Sequence, residues 1–219
     1  MLNQAVLFDL DGTLIDSVAD IALCCNMALE ISGLPKHPPQ AYRDFIGWGA
    51  HKLVSNALGQ YDEEFHQKVY EDYDTIYNDF CCNRCQMFQG IPQMLENLRA
   101  KGLKIAVVSN KPHKQTESVY LSTLNGYVDA YYGQFPNWPP KPDPCGVEYV
   151  LHKLGATGLA YVGDSEVDIA TGNNAGLPTV GVTWGMKTKD FLQQQGAGQI
   201  ADTPEELEKI IFNILDKTV

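Results

Sequence analysis

The sequence predicts an α/β fold, a parallel sheet covered by helices on both faces, with an α-helical cap inserted after the first strand. Three observations carry that expectation. Short, wholly apolar runs recur, and several end in a polar residue: Ala5-Val6-Leu7-Phe8 before Asp9, Ile105-Ala106-Val107-Val108 before Ser109, and Leu159 to Val162 before Gly163-Asp164. Such strands, alternating with helical patterns, indicate a parallel sheet buried on both faces. The first two runs are separated by about ninety residues, far more than one crossover helix needs. That excess segment has a helical period of its own.

Taken in order, Ala5 to Phe8 is the first strand. Ser17-Val18-Ala19-Asp20 resembles a capping box, and Val18, Ile21, Cys25 and Leu29 follow at helical spacing until Gly33 and Pro35. A second helix is expected over Ala50 to Leu58 and a third over Asp62 to Phe80, where Phe65, Val69, Tyr73, Ile76 and Phe80 make one stripe. The cap is therefore placed at 16–85, and the α/β core at 1–15 and 86–219. Ile105 to Val108, Leu159 to Val162 and Thr179 to Val182 supply further strands, with Val128 to Tyr132 a weaker candidate. The chain closes on a helix opened by Thr203-Pro204-Glu205-Glu206, an N-cap with proline at N1 and glutamate at N3. Leu207, Ile210, Ile211, Ile214 and Leu215 form its apolar stripe.

Composition narrows the function classes. The 219 residues are 44% hydrophobic and 20% charged, enough for a real core and incompatible with disorder. Sixteen basic residues against 27 acidic ones give a net charge of −11, which argues against nucleic-acid binding. Positions 61–80 hold seven acids against Lys68 alone, so over half of that charge is local, read here as a solvated face. No apolar run approaches the roughly 20 residues that span a bilayer. The opening Met1-Leu2-Asn3-Gln4 has no basic n-region, so neither a signal peptide nor a membrane helix is expected, and the location expected is cytoplasmic. Six cysteines in such a chain read as reduced thiols. Cys82 and Cys85 form a CxxC, but no second CxxC or paired histidine completes the four ligands of a structural zinc site.

The chemistry collects at the strand ends, where open α/β sheets bind ligands. In Asp9-Leu10-Asp11-Gly12-Thr13, extended backbone points residues i and i+2 the same way, so Asp9 and Asp11 project together. Carboxylates that close repel, which calls for a cation between them or a proton on one. A hard ion with oxygen ligands, most simply Mg²⁺, meets that need. The plain alternative is a pair of turn acids beside a glycine. Ser109 and Asn110 can donate to phosphate oxygens; alternatively they cap a helix. Lys141 lies among Pro139, Pro140, Pro142 and Pro144, a rigid setting for a mobile side chain, or else a surface lysine in a stiff loop. Asp164 and Asp168 lie four apart, so one helical turn would face both the same way, unless they are only a cap and a first-turn acid.

In this order the motifs are recognisable. DLDGTLIDS, Ser109, Lys141 and GDSEVD resemble the four motifs of the haloacid dehalogenase-like phosphatase superfamily, over nearly the whole chain. Finer similarity to phosphoglycolate phosphatases lies in Phe45-Ile46-Gly47-Trp48-Gly49-Ala50, Ser109-Asn110-Lys111-Pro112 and Lys141-Pro142-Asp143-Pro144. Gly133 to Trp138 departs from that group in being shorter and more aromatic. The resemblance implies a Rossmann-like parallel sheet core and a Mg²⁺-dependent phosphate-monoester hydrolase working through an aspartyl-phosphate. It implies Asp9 as nucleophile and Asp11 as general acid–base. It also implies Ser109, Asn110 and Lys141 at the phosphate, and Asp9, Asp164 and the main-chain carbonyl of Asp11 at the metal. Asp168 supports that shell through a water or by holding Lys141. The expected substrate is a small phosphorylated metabolite, 2-phosphoglycolate or a similar acid. Discrimination is expected from the cap through Arg43, Gly47 and Trp48. A sugar-phosphate mutase, a pyrophosphatase and a catalytically silent binding protein are the competing readings. A carbon–halogen hydrolase would not need Asp11 as proton donor. Monomer and homodimer are both compatible with the sequence, and no nucleic-acid or membrane partner is expected.

Overall fold

A computed structural model describes residues 3–80 and 85–218. Its centre is a six-stranded, wholly parallel sheet in the order β5-β4-β1-β6-β7-β8. The strands are β1 (Gln4–Phe8), β4 (Lys104–Pro112), β5 (Ala130–Gln134), β6 (Thr157–Gly163), β7 (Thr179–Val182) and β8 (Gln199–Ala201). Two short strands, β2 (Ile15–Asp16) and β3 (Gln86–Met87), pair antiparallel and enclose the inserted helices. These are α1 (Val18–Ile31), α2 (Tyr42–Phe45), α3 (Ala50–Leu58) and α4 (Glu63–Phe80). The remaining helices are α5 (Ile91–Ala100), α6 (His113–Val119), α7 (Cys145–Leu154), α8 (Glu166–Asn174), α9 (Lys189–Gln194) and α10 (Pro204–Asp216).

Period-two alternation explains the layering. Val6 and Phe8 of β1 face one apolar cluster with Met94, Leu95 and Leu98 of α5 and Leu207, Ile211 and Ile214 of α10. Leu7 faces the other way, with Ala106, Val108, Tyr132 and Tyr161, and is covered by Val147 and Val150 of α7. With both faces covered, β1 is buried throughout, as its uninterrupted apolar run requires. The inserted helices bury a third cluster, including Ile21, Leu53, Val69 and Tyr77. Met186, from the loop after β7, is the sheet-side residue buried within it.

Several local expectations change. Thr203 caps α10 by accepting from the Glu206 N–H at 3.2 Å, as its sequence predicts. Ser17 makes no side-chain cap bond to α1, and its hydroxyl is buried without a partner. On α4 the buried face is Val69, Tyr73, Ile76 and Tyr77, while Phe80 is 53% exposed. The stripe turns toward Tyr77 because that residue meets β4. The short α2, α9 and β8 were not anticipated; too few residues carry a period in each. Cys24 is disulfide-bonded, which corrects the expectation of six reduced thiols, whereas Cys25 and Cys145 are thiols outside any disulfide. Cys82 of the CxxC lies outside the described residues.

Candidate active site

With β1 between β4 and β6, the carboxyl ends of three strands open at one edge. Asp9 follows β1, its N–H bonded to the Val162 carbonyl at 2.9 Å, and Asp164 follows β6. Gly12 turns the chain between them at φ +88°, a region that favours glycine. A Cβ there would also run into the Asp164 carboxylate, so the glycine is needed twice over. β4 runs on through Ser109, Asn110 and Lys111 to Pro112, which removes the helix-cap alternative for Ser109 and Asn110. In the extended strand Ser109 and Lys111 share a direction, as the i and i+2 carboxylates of the first motif do.

Lys141 is the electrostatic centre. Its Nζ donates to Asp9 Oδ1 and to Asp168 Oδ1, both at 2.7 Å, and to the Tyr161 hydroxyl at 3.2 Å. Burial opposes the charge on Lys141, but Asp168 and Asp9 outweigh it and hold the ammonium well above the ordinary lysine range. The Asn110 side chain fixes the lysine's backbone, accepting from its N–H at 2.7 Å and donating to its carbonyl at 3.2 Å. Asn110 also donates to the Gly47 carbonyl of the insert at 3.2 Å, so its amide links loop, sheet and insert. The aromatic stretch before the lysine packs on the core: Phe135 and Trp138 sit against Tyr132, Phe135 stacks on His113 and Trp138 meets Tyr149 edge-on.

Asp168 reaches this network from α8. Ser165, not Asp164, is the N-cap, and Asp168 is the third helical residue of a capping box. Asp168 Oδ2 accepts from the Ser165 hydroxyl at 2.6 Å and from the N–H groups of Asp164 and Ser165 at 3.2 and 3.1 Å. Both of its oxygens are therefore engaged, one by the cap and one by Lys141.

Asp9, Asp164 and Asp168 are all buried and each offers an oxygen within 4.8 Å of the others. Burial, with Asp168 next, raises the Asp9 carboxyl from 3.8 to about 7. Burial, with Asp168 and Asp9 next, likewise holds Asp164 well above the carboxylate range. Three crowded carboxylates facing one lysine make an oxygen donor set that fits a hard divalent cation. Asp164 is pre-aimed: Thr13 donates to its Oδ1 at 3.2 Å and the Met186 N–H to its Oδ2 at 2.7 Å.

Asp11 is held differently. Lys111 Nζ lies 3.0 Å from both Asp11 oxygens and 2.7 Å from the Tyr77 hydroxyl on α4. Burial opposes this ammonium too, and Asp11 and Tyr73 outweigh it, so its pKa is raised. Neither Lys111 nor Tyr77 was among the residues expected at the site. The available signal was a lysine two residues beyond Ser109 on a buried strand, since lysine is rarely buried without a partner.

The site opens into a cavity of about 50 Å³ between sheet and insert. Asp9, Asp11, Ser109 and Lys111 line one side, and Ile21, Ile46 and Leu53 the other. Gly47 lines it as well. Arg43 and Trp48 do not reach it. The Arg43 guanidinium donates to the Gly185 carbonyl at 2.8 Å, and the Trp48 indole to Glu166 at 3.1 Å, so both fasten the insert to the sheet at its rim.

Comparison with known proteins agrees with this geometry. Residues 6–182 match the model of the haloacid dehalogenase-like hydrolase family. A phosphoglycolate phosphatase of Vibrio parahaemolyticus is 30% identical, covering 95% of this chain and 96% of its own. One from Aquifex aeolicus is 33% identical over 96% and 97%. The crystal structure of a Lactobacillus delbrueckii subsp. bulgaricus protein assigned as a phosphoglycolate phosphatase superposes with a TM-score of 0.90 at 31% identity, covering 96% of this chain and 99% of that one. The chain belongs to the haloacid dehalogenase-like hydrolase family. Within it, the chain is an enzyme of the phosphatase kind. Among the described residues, no helix is long and apolar enough to cross a membrane.

Proposed function

We propose that this enzyme hydrolyses a small phosphorylated acid, 2-phosphoglycolate or a close relative, through an aspartyl-phosphate on Asp9. The observation that carries the reading is the pairing of Asp9 and Asp11, each with its own buried lysine, at the floor of a small cavity. A volume of about 50 Å³ holds a few water-sized groups.

In this mechanism an Asp9 oxygen attacks phosphorus and the bond from phosphorus to the leaving oxygen breaks. Asp11 gives its proton to that oxygen, and the alcohol departs. Asp11 then takes a proton from the water that attacks the aspartyl-phosphate, which releases inorganic phosphate, restores the Asp9 carboxylate and returns Asp11 to its protonated form. Ser109 and Lys141 hold phosphoryl oxygens, and Asn110 keeps Lys141 in place. Asp9 and Asp164, with the main-chain carbonyl of Asp11, would hold Mg²⁺, while Asp168 supports that shell by fixing Lys141. Bound there, Mg²⁺ neutralises the crowded negative charge and keeps Asp9 ionised at neutral pH. In the same reading residues 16–85 form a cap that closes over a core of 1–15 and 86–219.

The test is phosphate release from a panel of 2-phosphoglycolate, hexose phosphates, nucleotides and pyrophosphate, with Mg²⁺ and with excess chelator. Metal-dependent, stoichiometric release, fastest from 2-phosphoglycolate, is expected. Preference for a hexose phosphate, or little release as a mutase would give, contradicts the proposal.

A further inference from the structure

Lys111 has a position that the four motifs do not explain. It is the only cation among the described residues lining the cavity, since Lys141 is turned onto Asp9 and Asp168 behind it. Its side chain is 4% exposed, and the walls opposite are Ile21, Ile46 and Leu53. Asp11, at 3.0 Å, is the group placed to protonate the leaving oxygen, so Lys111 stands on the leaving-group side of the site, away from the phosphate.

We infer that Lys111 is the residue that selects an acid substrate: its ammonium receives the carboxylate carried by the leaving group. This rests on the phosphorylated-acid reading above and names how that acid is recognised. Reach supports it. In a two-carbon acid the carboxylate begins two bonds from the leaving oxygen, so with that oxygen at Asp11 the carboxylate lies one hydrogen-bond length further on, where Lys111 is. Donor capacity supports it too. An ammonium has three N–H groups. Equal distances to the two Asp11 oxygens fit one N–H shared between them, and Tyr77 takes a second, leaving a third for a ligand.

The surroundings make the contact selective. A charge-assisted bond among apolar walls is stronger than one in water, and an uncharged tail leaves the donor unanswered. Tyr77 lies on the insert, so its share of the bracing of Lys111 is present only while α4 is docked against β4. Recognition of the acid is thereby tied to closure over it. Lys111 replaces Arg43 and Trp48 in the role the sequence reading gave them, because those side chains are committed at the rim.

The experiment compares kcat/KM for 2-phosphoglycolate with that for 2-hydroxyethyl phosphate, a tail of the same length without charge. It uses the wild type, Lys111→Met and Lys111→Gln. Both variants also take the ion pair from Asp11, which slows both substrates. The ratio divides out that loss and any loss of folded enzyme. The wild type should favour the acid by about tenfold or more, and the variants should bring the ratio close to one. A wild type that favours the acid, with variants that keep the preference, overturns the inference alone. A wild type without preference overturns the phosphorylated-acid reading and the inference with it.

Discussion

The two halves of the site are built on different plans. At the sheet edge Asp9, Lys141, Asp168, Ser165 and Asn110 form one polar network, drawn from strand ends, the cap of α8 and the proline-rich loop that carries Lys141. Across the cavity the insert offers mainly apolar side chains, Ile21, Ile46, Leu53 and Tyr73, with Tyr77 as its brace on Lys111. In the proposed reading the first half grips a phosphoryl group, which every candidate substrate shares, and the second decides what else fits. On that reading rigidity serves chemistry on one side, and contacts that form on closure serve selection on the other.

The sharpest way to break that contrast is to remove the centre of the rigid half. Lys141→Met leaves Asp9 and Asp168 without their cation in a buried setting. Loss of one partner of a buried pair costs about 3–5 kcal/mol. Unfolding in denaturant should show a loss of that order, with turnover reduced at least about a hundredfold. A variant with near wild-type midpoint and turnover would mean that the network is ornamental.

The next effect is tied to pH. Burial and the neighbouring Asp168 raise Asp9 to about 7 in the folded, metal-free chain, against an ordinary value of 3.8. The folded state then binds the proton more tightly than the unfolded state. This stabilising contribution is complete below about pH 4 and is lost as pH rises through about 7. Thermal melts of the metal-free protein should fall across that window, and Asp9→Asn should flatten the fall. Added Mg²⁺ should raise the melting temperature more at about pH 8, where Asp9 is ionised, than at about pH 5. Equal shifts at both would separate Asp9 from the metal.

The contrast also explains what could be read from the chain. Apolar runs located β1, β4, β6 and β7, and the acids, hydroxyl and lysine that follow them were named as the site, because strand ends in one parallel sheet must converge. Asp168 beside Lys141 was anticipated, although the capping box that aims it runs through Ser165, which was passed over. The selective half was illegible for a physical reason. Tyr77 and Lys111 are 34 residues apart, Lys111 and Asp11 are 100 apart, and Met186 and Asp164 are 22 apart. No local period joins such pairs; only the packing of α4 on β4 and of the loop after β7 does. Arg43 and Trp48 looked suitable by chemistry, and their place at the rim follows from a docking angle that local sequence does not encode.

The smallest effect expected is at that rim. Arg43→Ala removes one bond to the Gly185 carbonyl, worth about 1 kcal/mol. The neighbouring Lys187–Asp44 pair is too exposed on its aspartate side to add much. kcat/KM should fall less than about tenfold, and by the same factor for 2-phosphoglycolate and a hexose phosphate. A loss confined to the acid would return the selective role to Arg43.

The most direct measurement is to catch the covalent step. Rapid acid quench of the enzyme turning over phosphoryl-labelled 2-phosphoglycolate with Mg²⁺, followed by peptide mapping, should place the label on the peptide carrying Asp9. Asp9→Asn should carry none. Label on another residue, or turnover of the acid with no labelled enzyme at any quench time, would contradict the account.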